Sequence, residues 1–470
     1  MTLRRSLFRN RSLKEWCRKL RAEIVVVFSA SILAVAQVEL ELASNADANL
    51  GKSNGDSENT PPGDPNPVDQ PFKEQPPEQE SGWTGGLLDP SSGVQAGEDA
   101  LPDLGRNTGF RLRLGILEVR PIFQFGSMYD DNLLLSHTRP LRDWVTSVTV
   151  GLAAGIGDYI ERKENYLSFG YTPNYVFYRS HRNMNALNQA ALFGGQIVFN
   201  RLTIASTLQW ETLESTDRDA GGRTIQDSIM AELKANYALS ETFNFEMKNS
   251  VISRDNHALL KSIEKINRNW IVYKLTEKLD FSGGATLGQI EPNNSASITY
   301  QQLLLRSRLE STEKLSFNAS SGIEFRQFSS GAAPLVTPVF DLGGKWQPFH
   351  RTELSVSTYR RLANSSAGQS HNYTTTGFSG SLRQQFARNL SLEMSTGAEK
   401  SDYFTTAVNA PKTALDHRSD DYVFGKAMLA LTIDTQTSLS LYYLTRNNTS
   451  SVSQYSFDNN QIGLEWKTTF

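Results

Sequence analysis

The sequence predicts an all-β protein, a transmembrane antiparallel up-and-down β-barrel of about eighteen strands, with sixteen as the alternative. Three observations predict it. From about residue 110 onward, apolar and polar residues alternate in segments of strand length, and a period of two gives a strand one oily and one wet face. The connections between those segments alternate between short and long, the loop pattern of an outer-membrane barrel. The chain then ends on an alternating aromatic strand. Ile462, Leu464, Trp466 and Phe470 share one face, while Gln461, Gly463, Glu465 and Lys467 share the other, with Thr468 the one polar residue on the oily side. Such an ending resembles the closing strand read by the outer-membrane insertion machinery, with Trp466 and Phe470 as the signal.

Composition does not announce a membrane protein. The chain has 470 residues, 21% of them charged, and a net charge of −3. A barrel dilutes its apolar signal because every second residue faces a polar lumen. Beyond the N-terminus no window holds the 20 or so consecutive apolar residues that a spanning helix needs. The slightly acidic balance argues against nucleic acid as a partner. The single cysteine, Cys17, falls in a segment expected to be removed, which excludes cysteine-based zinc sites, nucleophiles and disulfides. No phosphate loop, metal-spaced histidine cluster or nucleophile elbow is present, so no cofactor is expected.

Residues 1–36 read as a signal peptide. Arg4, Arg5, Arg9, Arg11, Lys14, Arg18, Lys19 and Arg21 precede an apolar run from Ile24 to Ala36, and Ala34-Val35-Ala36 supplies the small residues of a cleavage site. Residues 37–109 read as a disordered periplasmic linker. From about Ser44 to Asn107, stretches such as Pro61-Pro62-Gly63-Asp64-Pro65 lack the apolar surface to fold. That linker is a spacer, a plug-like tail or a segment that recruits a periplasmic export component.

Residues 110–470 form the barrel. In order, the candidate strands span 116–128, 144–157, 164–179, 186–199, 201–213, 225–238, 241–254, 266–276, 278–290, 298–310, 313–327, 335–347, 351–362, 372–386, 389–402, 420–433, 436–446 and 456–470. Each is long enough to cross a bilayer at a tilt. The eighth and twelfth alternate least cleanly, which leaves sixteen strands open. Alternation is clearest in Leu315, Phe317, Ala319, Ile323 and Phe325 against Ser316, Asn318, Ser320, Gly322, Glu324 and Arg326. It is equally clear in Phe243, Phe245 and Met247 against Asn244, Glu246 and Lys248. Tight turns are expected at Asn200-Arg201, Leu239-Ser240, Glu277, Ser311-Thr312, Phe349-His350, Ala387-Arg388 and Asp434-Thr435, and a looser one at Asp158 to Lys163. The intervening connections are longer and polar, as in Ser215 to Thr224, Ala363 to His371 and Thr405 to Ser419. With eighteen strands, both ends of the barrel fall in the periplasm.

The wet rows carry both signs of charge. Candidate pore-lining residues are Glu118, Arg120, Glu246, Lys248, Arg306, Arg308, Glu324, Arg326, Lys345, Arg383 and Lys426. Facing lipid at the midplane, an Arg or Lys would cost about 2–4 kcal/mol, so these rows belong to the interior. Mixed signs argue against strong ion selection, which needs rings of one sign. The same charges also suit internal salt bridges that brace the wall. On the oily rows, Tyr171, Tyr175, Trp210, Tyr237, Trp346 and Trp466 fit interfacial girdles.

The first strand, Leu117-Glu118-Val119-Arg120-Pro121-Ile122-Phe123-Gln124-Phe125, is followed by Tyr129-Asp130-Asp131-Asn132. These segments and the chain end resemble the β-barrel porin 2 family, whose architecture the chain follows over residues 110–470. The resemblance implies an outer-membrane pore in a Gram-negative bacterium, an association with exopolysaccharide export, and no catalytic residues to carry over. By its chemistry the Asp130-Asp131-Asn132 group reads as a strand-ending turn, since it lacks the spaced ligand series of a calcium loop. The expected function is a porin-like channel passing or exporting polysaccharide or small polar solutes. Its alternative is a non-conducting outer-membrane anchor or surface interaction protein. An outer-membrane hydrolase is disfavoured because His137, His181, His257, His350, His371 and His417 all fall in loops, turns or strand margins, away from any mid-strand serine.

Overall fold

In a computed structural model, the structure describes residues 112–469 apart from 161, 163, 258–260, 294, 313, 366–370 and 407–416. The expected signal peptide, the expected linker and the terminal Phe470 lie outside the described residues.

Nineteen strands follow one another: β1 (Leu112–Leu114), β2 (Leu117–Asp130), β3 (Asp143–Gly157), β4 (Tyr166–Tyr178), β5 (Ala186–Val198), β6 (Leu202–Asp217), β7 (Gly222–Ala238), β8 (Phe243–Asn256), β9 (Lys261–Thr276), β10 (Leu279–Pro292), β11 (Ile298–Thr312), β12 (Leu315–Phe328), β13 (Leu335–Phe349), β14 (Thr352–Asn364), β15 (His371–Ala387), β16 (Leu390–Thr405), β17 (Ser419–Thr432), β18 (Thr437–Ser450) and β19 (Phe457–Thr469). Each of β2 to β19 pairs antiparallel with its neighbours in sequence, and β19 pairs back onto β2, from Gln461↔Asp130 to Thr469↔Ile122. Three-residue β1 folds back on β2 alone and takes no place in the ring. The barrel therefore has eighteen strands, not sixteen. Closure gives every wall strand two partners, so no backbone edge is left for lipid.

The pairing registers wind the wall through about 22 residues in one circuit, which corresponds to a strand tilt of about 40°. All eighteen expected segments are strands. The eighth begins earlier than its pattern suggested, at Lys261 rather than 266, because Lys261, Lys265, Asn267 and Asn269 occupy its outward row and obscure the alternation.

The outward rows are apolar and uncovered: Leu305 is 71% exposed, Val150 58% and Phe378 54%. A continuous exposed apolar surface of this kind is far beyond what a water-soluble monomer carries, and it is the surface a bilayer covers. Packing clusters form instead at the ends of the wall. Leu133, Val145 and Met184 form one, and Leu135, Tyr422 and Phe457 another, both built from residues of the longer loops folded against strand ends. At the short-turn end, the loose β3–β4 turn tucks Tyr159 against Ile122 and Ala153, and its hydroxyl donates to Glu118 at 3.2 Å. Burial pushes the Tyr159 pKa up, which keeps it a donor.

Candidate functional site

The rows opposite the exposed apolar residues face inward, and the charged side chains there meet in pairs. On β7 and β8, Lys248 and Lys234 both reach Glu232, at 2.8 and 3.5 Å. Arg306 on β11 spans two strands to Glu246 at 2.8 Å and lies 4.5 Å over the Trp270 ring. Only a concave surface brings β8, β9 and β11 together in this way. Arg326 and Glu324 pair at 2.7 Å and are almost fully buried, with Gln302 donating to Glu324 at 2.8 Å. Arg120 pairs with Glu118 at 2.8 Å and is 1% exposed. Lys345 pairs with Glu353 at 2.9 Å but keeps 43% of its side chain in contact with solvent. Arg383 stands in register between Glu353 and Glu393, where cross-strand neighbours of opposite sign attract. Lys426 lies 5.2 Å over the Tyr442 ring. Arg308 is partly buried on the same inward row as Arg306.

A second feature was not foreseen. The stretch from Ser215 to Thr224, expected as a long loop, is instead the end of a hairpin. β6 and β7 stay paired through Thr216↔Arg223 to Asp217↔Gly222, and only Arg218 to Gly221 turn. Gly221 closes the turn at φ +68 and donates to the Asp217 carbonyl at 2.9 Å. In that left-handed conformation glycine carries no Cβ penalty. The Asp217 carboxylate accepts from the Asp219 amide at 2.7 Å.

The tip of this hairpin docks on the opposite wall. Arg218 forms an ion pair with Glu399 of β16 and lies 4.1 Å over the ring of Tyr422 on β17. Ser365, beside β14, donates to the Asp219 carboxylate at 2.9 Å, and Arg418 donates to the Asp219 carbonyl at 2.9 Å. β16 lies ten strands from β6 in one direction round the ring and eight in the other, so the hairpin forms a bar across the long-loop mouth. Arg418 holds the far side. It bonds Asp420 at 3.0 Å and lies 3.5 Å over Tyr455. Burial is the largest single influence and works against its charge, but the hydrogen bonds with Asp420 and the attraction of Tyr403, Asp420 and Asp219 together outweigh it and leave its pKa above the ordinary value. Tyr359 donates to the same Glu399, and Arg361 lies 4.7 Å over the Tyr359 ring.

The Asp130-Asp131-Asn132 motif has a different task. Asp130 accepts from Asn459 Nδ2 at 2.6 Å, Gln461 Nε2 at 2.7 Å and the Asn132 amide at 2.8 Å. Asp131 accepts from the Asn460 amide at 2.7 Å and its side chain at 2.9 Å. Asn132 donates to the Asp458 carbonyl at 2.8 Å. The expected turn is therefore also the clasp that joins the first wall strand to the last. Its donors on β19 are the signal in the sequence: Asp458-Asn459-Asn460-Gln461 answers Tyr129-Asp130-Asp131-Asn132.

The histidines form two acid pairs. His181 Nδ1 lies 3.0 Å from Asp143, and His257 Nε2 lies 2.7 Å from Asp227. Among the described residues, no serine hydroxyl is bonded to either ring. Among them, too, no group of three or more His, Cys, Asp or Glu side chains is placed to hold a metal ion. The aromatics expected at interfaces all lie on outward rows, and Trp466 donates to Thr468 at 2.8 Å.

The profile of the family described as "Putative beta-barrel porin 2" matches residues 302–470, from within β11 to Phe470. No curated protein matches the chain in sequence. Among solved structures, the chain is similar to Pseudomonas aeruginosa OprD, at 10% identity and a TM-score of 0.41, over 78% of this chain and 98% of that one. It is similar to P. aeruginosa OccK11 (OpdR), at 9% identity and a TM-score of 0.40, over 75% and 96% of the two chains. It is also similar to P. aeruginosa OccK2 (OpdF), solved in complex with glucuronate, at 9% identity and a TM-score of 0.43, over 75% and 98%. A closed antiparallel wall with an apolar outer belt is a Gram-negative outer-membrane β-barrel, similar to a porin family over residues 302–470.

Proposed function

We propose that this barrel is a weakly selective diffusion channel for small polar solutes. One observation carries the reading: the inward rows of a closed eighteen-strand wall bear charged side chains of both signs. An interior of that chemistry holds water, and eighteen strands enclose a lumen of channel width. Of the candidate lining residues, Lys345 and Arg383 keep the most contact with solvent and are the groups a passing solute meets. Arg120, Glu324 and Arg326 are drawn into the wall, where they brace neighbouring strands. Glu118, Glu246, Lys248, Arg306, Arg308 and Lys426 stand between these extremes. With no ring of one sign among the described inward residues, discrimination between cations and anions is weak.

The bar favours small solutes over a polymer. An extended polysaccharide would have to displace a hairpin held at Glu399, Ser365 and Arg418, whereas a small solute passes beside it. Export of polysaccharide with periplasmic components is therefore the second reading, and a non-conducting anchor the third. Catalysis has no support from the acid–histidine pairs, since among the described residues no serine hydroxyl is bonded to either ring. The outward row Ile462, Leu464 and Trp466 keeps the alternation that the insertion machinery would read at the chain end.

Conductance of single refolded barrels in planar bilayers tests the reading. The expected result is discrete steps with nearly equal passage of potassium and chloride. Silence from a barrel whose gel mobility shifts on heating, the mark of a folded wall, would replace the channel with the anchor.

A further inference from the structure

Halfway up the outer wall, one sector breaks the apolar belt. Asn249, the seventh residue of β8, and Asn267 and Asn269, the seventh and ninth of β9, point outward with Phe243 and Ile271. They form a directional chain: Asn269 Nδ2 donates to Asn267 Oδ1 at 2.6 Å, and Asn267 Nδ2 donates to Asn249 Oδ1 at 2.7 Å. Toward the long loops the same face carries the ion pair Lys265–Glu291 at 3.1 Å, with side chains 38% and 41% exposed. Two strands away, the same level is held by Leu303, 62% exposed, and Leu305. Beside Asn269 on β10 lie Ala285 and Gly283, and a side chain at Gly283 would meet nothing.

Three amides at the middle of a lipid-facing wall are costly unless something polar covers them. The chain of amides specifies what that is. It ends in donor capacity at Asn249 Nδ2 and acceptor capacity at Asn269 Oδ1, so its complement is the same chain reversed. A two-fold axis along the membrane normal supplies this by setting β8 of one barrel against β9 of the other, at matching height. Self-complementarity of this kind defines an isologous contact. The small residues at Gly283 and Ala285 let two walls approach closely, as small residues do between spanning segments.

We propose that this face is the interface between two copies of the chain, with Asn249 of each bonding Asn269 of the other. The inference rests on the outer wall facing lipid. The test is the mass of the full chain in lipid nanodiscs and in mild detergent, alone and as the variant Asn249→Leu/Asn267→Leu/Asn269→Leu. Wild type is expected as a dimer, and the leucine variant as a monomer that still shifts on heating and conducts like wild type. In a Cys17→Ser background, mixing Asn249→Cys copies with Asn269→Cys copies under an added thiol oxidant such as diamide, which takes up the two electrons, is expected to give a mixed disulfide. A wild type that stays monomeric with lipid around it, a leucine variant that stays dimeric, or mixed cysteine copies that fail to link would each overturn the interface. A dimer that is silent in planar bilayers would overturn the channel and leave the interface standing.

Discussion

The clasp between β2 and β19 and the bar across the mouth use the same chemistry for opposite ends. Both sit at the long-loop end, and both join carboxylates to polar donors, amides of Asn and Gln in the clasp, Arg and Ser in the bar. In the clasp, register delivers the partners: Asp130 and Gln461 lie directly opposite in a strand pair, and the side-chain bonds reinforce a backbone ladder already in place. In the bar, no ladder connects the partners. Arg218 and Glu399 are 181 residues apart and meet only because the wall has closed and the hairpin leans over it. A contact delivered by register is part of the wall, while one delivered by closure is an addition to it. The clasp should therefore govern stability, and the bar passage.

The largest effect is expected from Asp130→Ala. It strands the side-chain amides of Asn459 and Gln461 in a buried site and removes an acceptor from the Asn132 amide. Losing an acceptor common to several buried donors should cost about 3 kcal/mol. Urea unfolding of the lipid-embedded barrel reads this, and a midpoint unchanged from wild type would remove the clasp from the wall's stability. Gly221→Val comes next, at about 2 kcal/mol. It forces a β-branched residue into the left-handed region, with a Cβ 2.9 Å from the Tyr455 ring. That strain stays within the tip, so the expected signature is a modest loss of stability together with larger conductance steps.

Replacing both members of the cross-mouth ion pair, Arg218→Ala with Glu399→Gln, separates the two roles most cleanly. Neither partner is left as a buried unpaired charge, so stability should change by no more than about 1 kcal/mol. Single-channel conductance should rise, at least twofold, if the bar narrows the passage. Equal conductance in wild type and variant would show that solutes pass where the hairpin does not reach.

The difference between clasp and bar also explains what the sequence revealed. The wall was legible strand by strand because its code is local: a period of two, tight turns at alternate junctions and an aromatic end. It faltered at β9, where Lys265, Asn267 and Asn269 put polarity on the face a barrel keeps oily. Inward charges were legible as a class, but their sorting into exposed Lys345 and buried Arg120 depends on how the folded wall packs around each. The clasp was half visible, since the Asp-Asp-Asn motif stood out while its partner Asp458-Asn459-Asn460-Gln461 carries meaning only after closure. The bar was misread as a loop because Asp217-Arg218-Asp219-Ala220-Gly221-Gly222 has the composition of any polar connection, and nothing nearby in sequence names Glu399.

The smallest effect calibrates the rest, because it lies at the other end of the barrel and touches neither feature. Asp434, in the exposed turn between β17 and β18, accepts from the Gln436 amide at 2.7 Å and the Thr437 amide at 2.8 Å. The Gln436 hydrogen bond dominates and holds its pKa below the usual carboxylate range, with slight burial acting the other way and the Thr437 bond adding to the depression. A carboxyl with a depressed folded pKa stabilises the fold once pH is above its unfolded value, and that contribution fades as pH falls through the folded one. Asp434→Ala should therefore lower the melting temperature slightly near neutral pH, and the gap from wild type should close on acidification. Asp130→Ala should keep a deficit in acid as well, since a protonated Asp130 still offers acceptors to Asn459 and Gln461 that alanine cannot. If both gaps closed together in acid, the clasp would be a titrating surface turn like Asp434 and not a buried seam.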